Sequence, residues 1–220
     1  MPQQLEPMEK EMPAVGNRSE ASVQAEKRIQ QADDLPHYQA QGDGSYQRHF
    51  ADRQGRDVTL RVEGNDAQSL ARVEGEQRLH SQHGIRLRAV DTSEAQTLPA
   101  YHGKGEMGRA NLTLEIDRSA NGAVADRRLR LNDIEVSGNY RGRGVGGELL
   151  RETERIGYQH RVREVYGNFA AEAGQEAQVR RFYQERGYHS RPGSGGGTEV
   201  YKTLRPDESD GASLRRAVIR

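Results

Sequence analysis

Residues 131–150, LNDIEVSGNYRGRGVGGELL, constrain this chain more than any other stretch. Ile134 and Val136 alternate with polar neighbours, as the end of a half-buried strand does. A short polar turn follows, then glycines at 142, 144, 146 and 147 around Arg141 and Arg143, then Leu149 and Leu150 in the opening turns of a helix. That order makes an anion site. The first N–H groups of a helix have no partner and point outward, and the helix dipole favours negative charge there. Glycine lets the backbone come close to an anion. Guanidinium groups add charge-assisted hydrogen bonds to phosphate oxygens.

Three kinds of protein build such a loop. The nucleotide-binding phosphate loop ends in Gly-Lys-Ser/Thr, whereas Glu148 follows Gly147 here. Gly142, Gly144 and Gly147 formally fit the dinucleotide fingerprint G-x-G-x-x-G, but only 73 residues follow, too few for the βαβ units that fold requires. The third is the GNAT superfamily of N-acetyltransferases. Its Arg/Gln-x-x-Gly-x-Gly/Ala mark resembles Arg141-Gly142-Arg143-Gly144-Val145-Gly146, between a strand and a helix. Downstream, residues 179–188 (VRRFYQERGY) resemble the family's A-x-x-F-Y-x-x-x-G-F helix end. The resemblance is good over about residues 129–204, weaker from 57 and absent before 45. It implies an α/β (α+β) fold, a mixed, twisted and splayed β-sheet flanked by helices.

The elements read from the residues agree with that order. Strands are expected at 46–51 and 58–62. A helix capped by Asn65 or Asp66 follows, running to about His80 on a stripe of Leu70, Val73 and Leu79 and ended by Gly84. Strands come next at 85–90 and 111–116, separated by a loop over 91–110, with a hairpin at Asn121-Gly122 and a strand at 129–136. Val145, Leu149, Thr153 and Ile156 mark the buried face of the helix after the glycine loop. A strand at 162–169, a helix at 175–186 stopped by Gly187, a turn over 188–197 and a strand at 198–204 complete the domain, which spans 45–204.

Composition sets the remaining bounds. Residues 1–44 hold eight acids and four bases with few large apolar groups, so they read as a leader unable to offset its ordering entropy. Residues 205–220 read as a polar tail. Net charge is zero, which argues against a nucleic-acid partner. There is no cysteine, hence no disulfide and no cysteine nucleophile. No apolar run approaches membrane length, and the N-terminus lacks a signal-type hydrophobic region. These features lead us to expect a cytoplasmic protein without membrane contact, with export by a route that needs no cleaved signal left open. A homodimer is compatible with the sequence. His80 and His83 form H-x-x-H at the expected helix end, but without a third ligand no metal site is expected.

The resemblance also implies chemistry. Acetyl-CoA would be the co-substrate. Backbone groups of Ile134, Glu135 and Val136 would pair with its pantetheine arm, and Arg141, Gly142, Arg143, Gly144, Val145, Gly146 and Gly147 would hold its diphosphate. The Val136 N–H would stabilise the oxyanion. Tyr183 stands where the family places the acid that meets the departing thiolate, although 179, 182 and 183 also have the spacing of a core helix face. Glu135 is the leading candidate for the base that deprotonates the acceptor amine, with Glu172 behind it; Asp133 shares the parity of Glu135. The family's asparagine seven residues before the tyrosine is Glu176 here, and a glutamate sometimes used as base on the second splayed strand is Asn168. The expected activity is direct acetyl transfer to an amine, of a small molecule or a protein. The rival expectations are an acyl-CoA-binding or partner-binding regulator without turnover, and a secreted effector or toxin acetylating a protein or a charged tRNA.

Overall fold

The computed structural model describes residues 39–41, 44–95, 105–169, 174–193 and 197–204. Most of the expected leader, the expected tail and Glu172 lie outside the described residues. The chain divides into two units, Met1–His37 and Tyr38–Arg220, and every described residue belongs to the second.

Three antiparallel strands open it: β1 (Gln39–Ala40), β2 (Tyr46–Ala51) and β3 (Asp57–Glu63). Helix α1 (Ala67–Gly75) starts at Asp66, whose carboxylate accepts the Ser69 N–H, and stops at Gly75, shorter than expected. Val73 is buried, but Leu79 lies beyond the helix and is 65% exposed, so it takes no part in the helix stripe; the Leu70 side chain is outside the described residues. β4 (His80–Asp91) then runs through Gly84. His80 and His83 therefore stand on a strand, three residues apart and on opposite faces, not on a helix end. A four-residue helix, α2 (Thr92–Ala95), precedes β5 (Glu106–Arg118), which pairs through the Asn121-Gly122 turn with β6 (Val124–Val136). After the glycine loop come α3 (Val145–Gln159), β7 (Glu164–Phe169), α4 (Glu176–Gln184) and an antiparallel pair, β8 (His189–Pro192) and β9 (Thr198–Thr203). β8 replaces part of the turn expected over 188–197. Among the described residues no helix is long and apolar enough to cross a membrane.

The nine strands form one sheet in the order β1-β2-β3-β4-β5-β6-β7-β9-β8. Every neighbouring pair is antiparallel except β6 with β7, the strands that α3 connects. The alternation of Leu87 on β4, Ala110, Leu112 and Leu114 on β5, and Leu129 and Leu131 on β6 puts the core on one face. α3 covers that face with Val145, Leu149, Thr153 and Ile156, all buried as its periodicity requires. Gly108, expected as a loop glycine, lies inside β5 because the helix comes so close. A Cβ there would sit 3.2 Å from Val145 Cγ1 and 2.8 Å from the Glu135 carbonyl oxygen. The opposite face carries ion pairs, among them Arg88 with Glu106, Arg109 with Glu135, and Arg128 with Glu115 and Asp117.

The parallel pairing of β6 and β7 is short. It comprises Arg128–Glu164, Leu129–Val165 and Arg130–Tyr166, and then the strands part. Gly167 makes their last approach: a Cβ there would lie 2.3 Å from the Leu131 carbonyl oxygen, a distance only backbone movement relieves. Gly167→Ala should therefore lower the unfolding free energy by about 1–3 kcal/mol, read by urea denaturation. Unchanged stability would show that the two strands do not meet at this level.

Candidate active site

The opening between β6 and β7 is built by a β-bulge. Leu131 pairs with Leu112 and Asp133 with Asn111, so Asn132 is the extra residue. The bulge shifts the alternation by one, and Ile134 and Val136 stay on the α3 face together with Leu129 and Leu131. Asp133 and Glu135 point to the other face. There Asp133 accepts two hydrogen bonds from Asn111, and Glu135 is exposed and bonded to Arg109 at 2.7 Å.

Hydrogen-bond parity settles which backbone groups face the opening. Ser137 N–H donates to the Met107 carbonyl oxygen at 3.0 Å, so Val136 and Gly108 form a non-hydrogen-bonded pair. The N–H and C=O of Val136 therefore point away from β5, and two residues back those of Ile134 do the same. Glu135 alternates, and its backbone is turned to Arg109 on β5. Of the three residues expected to offer backbone groups, Ile134 and Val136 do so and Glu135 does not. Beyond Arg130, β6 has no strand on that side among the described residues.

The loop follows directly. A 3-10 turn over Gly138–Tyr140 leads to Arg141, whose Nε donates back to the Val136 carbonyl oxygen at 3.3 Å. Gly142 and Gly144 hold φ of 78° and 93°, the left-handed region that disfavours any side chain. Gly144 is the N-cap of α3 and contributes no side-chain cap, so the first N–H groups of the helix are left for an external acceptor. The Arg143 guanidinium lies over the Tyr140 ring, 5.1 Å from its centroid, with Nη1 buried and without a hydrogen-bond partner among the described residues. The Arg143 carbonyl oxygen accepts the Arg53 N–H at 2.9 Å, which ties the β2–β3 turn to the loop.

α4 closes the site. A Cβ on Gly146 would lie 3.3 Å from both Phe182 and Val136, so α4, the loop and the end of β6 meet at that glycine. Tyr183 is 5% exposed, beside Phe169, Phe182 and Tyr188. Its hydroxyl has no hydrogen-bond partner among the described residues, and burial pushes its pKa up to about 12. Phe169 ends β7, so Tyr183 stands on the far side of the opening from Val136.

The geometry thus gathers Ile134, Val136 and Arg141 to Gly147 around one gap in the sheet, sets Tyr183 beside Phe169 at the end of β7, and leaves the Glu135 carboxylate on the opposite face. Two arginines to which neither motif assigns a role also come to the loop. Arg53 packs beside Gly144, and Arg186 beside Gly147. Arg186 directly precedes the helix-stop glycine, which gave it no separate signal. Arg53 lies in a hairpin about 90 residues upstream of the loop, and nothing in its neighbourhood points there.

Residues 91–188 match the model of the acetyltransferase (GNAT) family, and both motifs fall inside that span. This part of the chain is a GNAT-family domain. No curated protein matches the chain. Similar solved structures include a GNAT-family acetyltransferase from Staphylococcus aureus Mu50, at 15% identity over 56% of this chain and 68% of that one, TM-score 0.38. The GNAT domain of S. lividans PAT shares 14% identity over 71% of this chain and 96% of that one, TM-score 0.41. The PaiA N-acetyltransferase from Thermoplasma acidophilum, in complex with coenzyme A, shares 18% identity over 54% and 59%, TM-score 0.35. At these scores the family assignment rests on the matched span and on the geometry of the loop and gap, not on the likenesses.

Proposed function

We propose that this domain transfers an acetyl group from acetyl-CoA to an amine by direct attack within a ternary complex. The observation that carries the reading is the opening of β6 from β7 beside an uncapped, arginine-flanked helix start. The N–H groups of Val145, Gly146 and Gly147, with Arg141 and Arg143, take the diphosphate. Ile134 and Val136 pair with the pantetheine amides as a neighbouring strand would. Glu135 belongs to the same strand end through its side chain alone. Holding the thioester beside the amine supplies the proximity term, worth up to roughly 7–11 kcal/mol in well-oriented systems.

The amine nitrogen forms a bond to the acetyl carbon, and the carbonyl electrons move to oxygen, where the Val136 N–H receives them. Glu135 takes the ammonium proton from the sheet face opposite α3, with Arg109 orienting its carboxylate. Collapse of the intermediate breaks the carbon–sulfur bond. Tyr183 then donates to the departing thiolate. A phenol near 12 facing a thiol near roughly 8.5 makes full proton transfer uphill by roughly 5 kcal/mol, so its hydrogen bond to the developing sulfur charge is the larger contribution. The domain boundaries follow the same reading: residues 45–204 form the transferase, and 1–44 and 205–220 flank it.

Calorimetric titration of the full chain with acetyl-CoA should give a micromolar complex, and Arg143→Glu should weaken it at least about tenfold. No binding at millimolar ligand, or unchanged affinity in the variant, would remove the loop assignment. Tyr183→Phe should lower turnover about tenfold to hundredfold and leave KM for acetyl-CoA nearly unaltered. Because burial raises the Tyr183 pKa, the phenol keeps its proton up to about pH 12, and the pH–rate profile should show no alkaline fall from it below pH 10. Equal turnover in the phenylalanine variant would take Tyr183 out of the chemistry. Binding without release of CoA, whatever amine is supplied, would replace transfer with a sensing role.

A further inference from the structure

Outside the loop motif, the clearest unexplained feature is a group of like charges around the first turn of α3. Gly144 and Gly147 lie on one side of that turn, three residues apart. A Cβ on Gly144 would sit 3.4 Å from Arg53 Cγ, and one on Gly147 would sit 3.2 Å from Arg186 Nη2. The two glycines thus admit one arginine each, from the β2–β3 turn and from the end of α4. Arg186 lies over the Phe182 ring at 4.1 Å and donates to the Phe182 carbonyl oxygen.

The nearby acids make their ion pairs with other cations, while Glu185 also acts on both arginines through its charge. Glu148 pairs with Arg48 and Arg151, Glu154 with Lys202, and Glu185 with Arg181. Neither Arg53 nor Arg186 makes an ion pair among the described residues. Burial is the main cause that lowers the pKa of Arg186; Glu185 and Glu154 oppose it, and the charges of Arg53 and Arg151 add to it. Repulsion of this kind is relieved by an anion set between the guanidinium groups.

Arg53 is also held in place. Asp52 Oδ1 accepts the N–H groups of Gln54 and Arg56 and fixes the turn. The strand before it is clamped to α3: Arg48, 7% exposed, bonds Glu148 at 3.1 Å and Glu152 at 3.3 Å, and the Tyr46 hydroxyl accepts from Arg155. β2 therefore runs beside the helix and delivers its turn to the helix start.

We propose that Arg53 and Arg186 form a second phosphate subsite on the flank of the diphosphate loop, beside the first turn of α3, which takes the 3′-phosphate of coenzyme A. This rests on the reading of the loop as a diphosphate site. The two sets of donors differ in kind. Main-chain N–H groups with Arg141 and Arg143 suit the bridging diphosphate, and a side-chain pair on the flank suits a monoester dianion. Arg53 lies outside the 91–188 family span, so this discrimination belongs to the strands that precede it. The consequence is a preference for coenzyme A over carriers that have the pantetheine arm but no 3′-phosphate.

The test is calorimetric titration of the full chain with coenzyme A and with dephospho-coenzyme A, which keeps the diphosphate and lacks only the 3′-phosphate. The wild-type chain should favour coenzyme A about tenfold or more. Arg53→Ala, at an exposed position, should weaken coenzyme A about tenfold, leave dephospho-coenzyme A unchanged and bring the ratio near one. Arg186→Gln should move the ratio in the same direction. Equal wild-type affinities would overturn the subsite and leave the loop assignment standing. Equal loss of both ligands in Arg53→Ala would overturn it as well, making Arg53 a prop for the loop. Failure of both ligands to bind the wild-type chain would remove the diphosphate reading and the subsite together.

Discussion

The parallel contact between β6 and β7 stops after Arg130 and Tyr166, and the site depends on its stopping there. A parallel pair joined by a crossover helix would ordinarily stay closed along its length, with every backbone group engaged. Here, among the described residues, β6 runs on to Val136 paired with β5 alone, and β7 runs on to Phe169 paired with β9 alone. The Asn132 bulge turns the β6 backbone so that Ile134 and Val136 offer their polar groups to the gap. α3 begins at the mouth of the gap, because the chain leaving Val136 must turn back over the sheet. Strand opening and helix start are therefore one structural event, and a ligand with an amide arm and a diphosphate end meets both.

Packing keeps the gap from closing. On the β7 side, Phe169, Tyr183 and Tyr188 pack against one another beside the end of the strand. On the β6 side, Val136 touches Gly146 while Phe182 touches the same glycine from α4. Gly108 and Gly167 set the limits of approach, one between sheet and helix and one between the two strands. Each is a place where a single methyl group would push main chain apart. Rigidity of this kind suits a site that works by positioning.

Local chemistry was legible in the sequence and tertiary approach was not. The glycine loop, the buried stripe of α3 and the stop at Gly187, where φ is 78°, all declared themselves through residue type and spacing. Gly84 and Gly108 misled because a glycine reads as a breaker, yet each lies inside a long strand. At Gly108 the reason is the close approach of α3, whereas a Cβ on Gly84 would meet nothing within 4 Å; the tight contact there is at Gly64, φ 78°, which passes beside the Gly84 carbonyl oxygen. The helix expected to reach His80 stops at Gly75, since past it Leu79 faces solvent and nothing rewards another turn. The bulge at Asn132 had no signature, so the different orientation of the Glu135 backbone was invisible. Arg53 was hidden by distance along the chain, because only β2 folding beside α3 brings it to the loop.

The central claim is that main-chain amides at the start of α3 and on the free edge of β6 receive one ligand together. Amide hydrogen exchange with and without acetyl-CoA measures this directly. Protection should rise at Val145, Gly146 and Gly147 and at Ile134 and Val136, while Glu135, already bonded to β5, changes little. Protection confined to the loop with the β6 edge unaffected, or none at either place, would contradict the account.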